Sequence, residues 1–199
     1  MGFEAAVARV KEILDGITSP RPHDIVLTKT MFLALGNVLE ECKECPIAVL
    51  IANVNLSVLE EACSGKVVLS CALQTQITSI YSSIILKAPG YTVRNIAVNY
   101  LALCSAKSAS VSCKVCALSV CALILGSRSF DCGSMISETI VSMAKIVKGS
   151  DVSLRLGALR VLIAVVNDAG TRIGDCHPDI LKVRHRRCHM LHNILCNII

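Results

Sequence analysis

The chain has no tryptophan, and its three Phe and three Tyr hold the aromatic share to 3% while hydrophobic residues reach 53%. Its interior therefore has to be assembled from Leu, Ile, Val, Ala and Cys, side chains small enough to let helices stack closely. It also lacks an uninterrupted apolar run of about 18 residues, the length a membrane-spanning helix needs. The best runs, 115–126, 46–59 and 156–166, are too short or are broken by Asn53, Asn55 or Arg160. The N-terminus has no charged-then-apolar signal pattern, and Ala6 stands where N-myristoylation prefers Ser or Thr. These absences lead to the expectation of a soluble protein of the cytoplasm or nucleus, with no membrane contact.

Acidic residues are missing between Glu61 and Asp131. Residues 1–65 carry nine acids and five bases, and residues 66–199 carry six acids and fifteen bases, so the formal charge of +5 is the residue of two opposed halves. The basic part favours an acidic partner. The usual catalytic motifs are absent too: no Gly-rich phosphate loop, no Gly-x-Ser-x-Gly elbow, no His-Glu-x-x-His. None of the five His stands beside a partner that would mark a nucleophile and its base. The chain thus reads as non-catalytic, with no metal and no cofactor required.

What is present is helical periodicity. Segments at about 3–15, 24–44, 47–64, 66–87, 91–105, 111–126, 134–148, 151–168 and 178–199 carry it, separated by Pro, Gly and Ser breakers, and nothing alternates as a strand would. Asp24, Ser134 and Asp151 stand where N-caps belong. Most of the twelve Cys fall inside these apolar helical runs, among them Cys63, Cys71, Cys104, Cys116 and Cys121, so they read as small buried hydrophobes in a reducing compartment.

One stripe recurs with a period of about 41 residues. On segment 151–168 it comprises Ser153, Gly157, Arg160, Ala164 and Asn167; on 111–126, Ser112, Cys116, Ser119, Leu123 and Gly126; and on 66–87, Cys71, Thr75, Thr78 and Ser82. Its i, i+4, i+7, i+11, i+14 spacing puts each set on one helix face. A phase held through three helices is the mark of a stacked array.

The run Asp151-Val152-Ser153-Leu154-Arg155-Leu156-Gly157-Ala158-Leu159 resembles the second-helix signature of HEAT repeats, and Cys113-Lys114-Val115-Cys116-Ala117 keeps its basic residue and Ala. Val93-Arg94-Asn95-Ile96-Ala97 matches as well, although on a helix of the opposite phase. The resemblance implies an all-α, right-handed α-solenoid of HEAT or armadillo type, about four and a half helical hairpins long. It covers residues 66–199 and is weaker over the hairpins of 1–65, within a single continuous domain 1–199. It also implies a scaffold or adaptor that binds a protein along the second-helix face, with Thr75, Thr78, Ser82, Ser112, Ser119, Ser153, Arg160 and Asn167 as contacts. Absence of Trp sets the chain apart from the Trp-and-Asn ladders of importin-alpha armadillo proteins and from tubulin-binding TOG domains.

Three other clusters compete with this reading. Lys182, Arg184, Arg186 and Arg187 could bind nucleic acid or another polyanion, but no aromatic stacking platform lies near and a solvated helix face is the commoner explanation of such a cluster. His185, Cys188, His189, His192 and Cys196 share an arc that could hold zinc, or that borders the apolar face of Leu181, Leu191, Leu195 and Ile199 as packing residues. Cys42 with Cys45, and Cys113 with Cys116, form Cys-x-x-Cys pairs. The last segment has an apolar face and no following helix to cover it, which leads to the expectation that a second copy, a partner or further repeats pack there.

Overall fold

The computed structural model describes residues 1–17, 25–42, 45–63, 69–88, 90–127 and 135–169. These form eight α-helices and no strand: α1 (Phe3–Ile17), α2 (Ile25–Glu41), α3 (Cys45–Cys63), α4 (Cys71–Lys87), α5 (Gly90–Ser105), α6 (Val111–Leu125), α7 (Ile136–Val147) and α8 (Val152–Ala169). The expected helix at 178–199 lies outside the described residues.

Several helices begin where a short side-chain oxygen accepts from an amide of the first turn. Ser70 Oγ accepts from Leu73 N at 3.2 Å, Ser110 Oγ from Cys113 N at 3.3 Å and Asp151 Oδ1 from Leu154 N at 2.9 Å. The even-numbered helices α4, α6 and α8 therefore start in step with the repeat. Of the N-caps expected from sequence, Asp151 is borne out, while Asp24 and Ser134 lie outside the described residues. Ser70 also corrects the start of α4, which begins at Cys71 and not near residue 66.

The helices pack in two successions. One runs α2, α4, α6, α8, each helix resting on the one before, and the α6–α8 contact is the most extensive among the described helices. The other runs α1, α3, α5. Sequence neighbours join the two at α1–α2, α3–α4 and α5–α6, and α7 packs on α8. The resulting core is aliphatic, with Leu35, Ile51, Ile77, Leu118, Ile124 and Val161 all withdrawn from solvent. Lys87, at the end of α4, adds a polar tie: its Nζ donates to the carbonyl of Leu39 on α2 at 2.5 Å and sits 3.5 Å from Glu40 Oε1. A cation there answers the negative end of the α2 dipole.

Close approach in the even-numbered succession depends on small residues. A Cβ on Gly157 of α8 would lie 2.9 Å from Leu118 Cδ1 and 3.1 Å from Leu118 Cβ on α6. One on Gly126 would come within 3.3 Å of Ala164 Cβ. Gly157→Leu should accordingly destabilise the fold by about 2 kcal/mol or more, since overpacking a tight contact typically costs about 1–3 kcal/mol. Gly36, inside α2, has nothing within 4 Å of its would-be Cβ, so Gly36→Ala should stabilise by about 0.5–1 kcal/mol through helix propensity alone. Urea denaturation of the two variants checks the opposite signs; a neutral Gly157→Leu would remove the close contact from the account.

Candidate functional site

Two features of the described residues could carry function: the recurring stripe and a buried group of tyrosines and thiols.

The stripe runs along α4, α6 and α8, and its members divide. Thr75, Ser82, Ser153, Arg160 and Asn167 are exposed, whereas Thr78, Ser112 and Ser119 are half-buried. Between them, Cys116 and Gly157 are buried in the seams of the even-numbered helices. Cys116 Sγ lies 4.0 Å from the Gln74 carbonyl of α4, so it points into the α4–α6 contact. Several hydroxyls are turned back on their own helices: Thr75 donates to Cys71 O at 3.0 Å, Thr78 to Gln74 O at 2.8 Å and Ser119 to Val115 O at 3.0 Å. The small residues thus serve two ends. Some make room for the neighbouring helix, and the others leave a shallow, weakly charged outer strip over three stacked helices.

The second feature lies where α3, α4, α5 and α6 meet. The Tyr81 hydroxyl of α4 donates to the Ala52 carbonyl of α3 at 3.3 Å and lies 2.6 Å from the Tyr100 hydroxyl of α5. With the Tyr81 proton committed to Ala52, Tyr100 is the donor between the two phenols. Their rings meet edge to face, centroids 5.4 Å apart at 79°. The amide of Asn55, fully buried beside them, has no hydrogen bond of good geometry. Sequence reasoning treated Asn55 only as an interruption of an apolar run and did not find this cluster; two Tyr 19 residues apart give no local signal.

Burial raises Tyr81 and Tyr100 well above the ordinary phenol value, with the bond from Tyr100 and the Asn55 amide opposing the rise at Tyr81, and the Tyr81 phenol reinforcing it at Tyr100. On α6, burial pushes the Cys116 thiol up to about 12, against a smaller opposing effect of the Thr78 hydroxyl. Cys121 is raised by its hydrogen bond with Cys104 on α5 and by burial. Cys113 reaches the Leu59 carbonyl at 3.8 Å. The raised thiols stay protonated near neutral pH, which makes them poor nucleophiles and poor metal ligands. No set of three or more His, Cys, Asp or Glu that could hold a metal occurs among the described residues.

The other sequence candidates fall as follows. Cys113 and Cys116 are both buried, and Cys42 is buried at the end of α2. Cys71 departs from the expectation of buried thiols: as the first residue of α4 it is exposed. Lys182, Arg184, Arg186 and Arg187, and the His185 to Cys196 arc, lie outside the described residues. Among the described residues no helix is long and apolar enough to cross a membrane. No family model, no curated protein and no solved structure matches the chain.

Two outcomes follow. In the native, reduced protein a maleimide should label Cys71 and leave Cys42, Cys104, Cys113, Cys116 and Cys121 largely unmodified, as peptide mapping by mass spectrometry will show; fast labelling of Cys116 would mean that the seam opens. The raised groups also hold protons more tightly in the folded than in the unfolded chain. Their contribution to stability is complete below the unfolded thiol value of 9.0 and is lost as pH rises toward about 12. The urea midpoint should fall above about pH 9, and Cys116→Ala should make that fall shallower. A midpoint indifferent to alkali would show that these groups are solvated.

Proposed function

We propose that the protein is a non-catalytic scaffold or adaptor, built as a right-handed α-solenoid of HEAT or armadillo type, that holds another protein along the outer strip of α4, α6 and α8. The observation that carries this reading is the ladder of even-numbered helices, each packed on the last, with side-chain N-caps at Ser70, Ser110 and Asp151. Stacked helices of this kind present one residue phase as a continuous surface. Here that phase supplies Thr75, Ser82, Ser153, Arg160 and Asn167 at the surface, with Thr78, Ser112 and Ser119 half-buried between them. Small polar side chains let a partner backbone approach closely, so the bulky anchors come from the partner. Quiet chemistry inside supports the same reading, because raised, protonated thiols and phenols suit a rigid frame better than a reaction centre.

The test is affinity capture with the full chain from a reducing lysate, followed by binding measurements on what is captured. A Thr75→Glu, Ser82→Glu, Arg160→Glu variant should lose most of the binding, about tenfold or more, while its unfolding free energy stays within about 0.5 kcal/mol of the parent per exposed site. Lys11→Glu, exposed on α1, a helix that packs on α2 and α3, should bind normally. If the triple variant binds as the parent does, the strip is not the contact surface. If binding instead collapses with salt and on replacing Lys182, Arg184, Arg186 and Arg187, the polyanion reading takes its place.

A further inference from the structure

The face of α8 turned away from the core is aliphatic. Val152 is 72% exposed, Leu156 38%, Ile163 50% and Val166 45%, with Leu159 half-buried between them. Their i, i+4, i+7, i+11, i+14 spacing makes one stripe, opposite the buried Ala158, Val161 and Val165. Four exposed aliphatic side chains in one row, uninterrupted by charge, are what a covered helix face looks like when its cover is removed.

The repeat says what such a cover is made of. Forty-one residues earlier, the same phase of α6 includes Leu118 and Leu125, both fully buried, and Leu118 lies under Gly157 of α8. On α6, then, Leu118 of this phase lies under α8 itself, while Val111 at its start stays exposed. The residue of α8 seated on Leu118 of α6 is the buried Gly157. Counting forward by the same 41 positions from Gly157 leads to Ile198, in a stretch where Leu191, Ile194, Leu195 and Ile198 follow i, i+3, i+4, i+7 spacing. Thirty residues follow α8 in this chain, ample to bring that stretch back to it.

We propose that the aliphatic face of α8 is an intramolecular docking surface, and that its occupant is the segment 188–199 of the same chain, seated through Leu191, Ile194, Leu195 and Ile198. The segment takes the place in the even-numbered succession that α8 holds with respect to α6.

A photo-crosslinking amino acid at position 163 in the full chain tests this, using an equal mixture of isotopically light and heavy protein under reducing conditions. Crosslinked peptides should join position 163 to residues 188–199, and only light–light and heavy–heavy pairs should form. A Leu195→Asp, Ile198→Asp variant should lower the yield about tenfold while circular dichroism and labelling of Cys71 stay unchanged; the same crosslinker at exposed Val98 of α5 should not reach 188–199. Mixed light–heavy pairs would assign the face to a second copy and overturn the proposal. Crosslinks to other segments, or none at all, would overturn it equally.

Discussion

Leu118 of α6 occupies the space that a side chain at position 157 of α8 would need, and much of the architecture turns on that closeness. With so few aromatic side chains, two helices can gain dispersion energy only by bringing backbones near and meshing aliphatic groups. Gly157, Gly126 and Ala164 permit this between α6 and α8, and Cys116 does the same work between α6 and α4. Because each helix in the succession is placed by the one before, an error at one seam would be passed to the next. Small residues at a repeating phase keep that error small.

The tyrosine pair answers a different need. Helices α3 and α5 belong to one succession and α4 to the other, and non-directional packing alone would leave them free to slide. The bonds from Tyr100 to Tyr81 and from Tyr81 to the Ala52 carbonyl join all three with directional contacts deep in the core. Cys116 and Cys121 of α6 lie near the same junction and are held protonated, the first chiefly by burial and the second by its hydrogen bond with Cys104 and by burial. Such a centre confers rigidity without reactivity.

Local signals in the sequence account for much of the fold. The spacing of apolar residues, the Pro and Gly breakers and the cap at Asp151 predict α5, α6, α7 and α8 to within about two residues of their observed ends, since these are properties of short stretches. Residue 66 was a poorer guess for the start of α4, because the Ser70 cap lies inside a run that is helical in composition throughout. The candidate strip was legible as a phase, and its polar members at Thr75, Ser82, Ser153, Arg160 and Asn167 do reach the surface.

Burial was decided elsewhere. Asn53 and Asn55 are two positions apart on α3, yet one is exposed and the other fully buried beside Tyr81. Cys71 and Cys116 belong to the same recurring stripe, and one meets solvent while the other meets the Gln74 carbonyl. Sequence by itself determined that the described residues are helical, where most of their helices begin and which residues share a face, because those follow from backbone geometry over a few turns. Only the tertiary structure decided which part of a shared face becomes a seam and which stays outside. That outcome depends on how far each helix is rotated against residues dozens of positions away, and no local pattern encodes it.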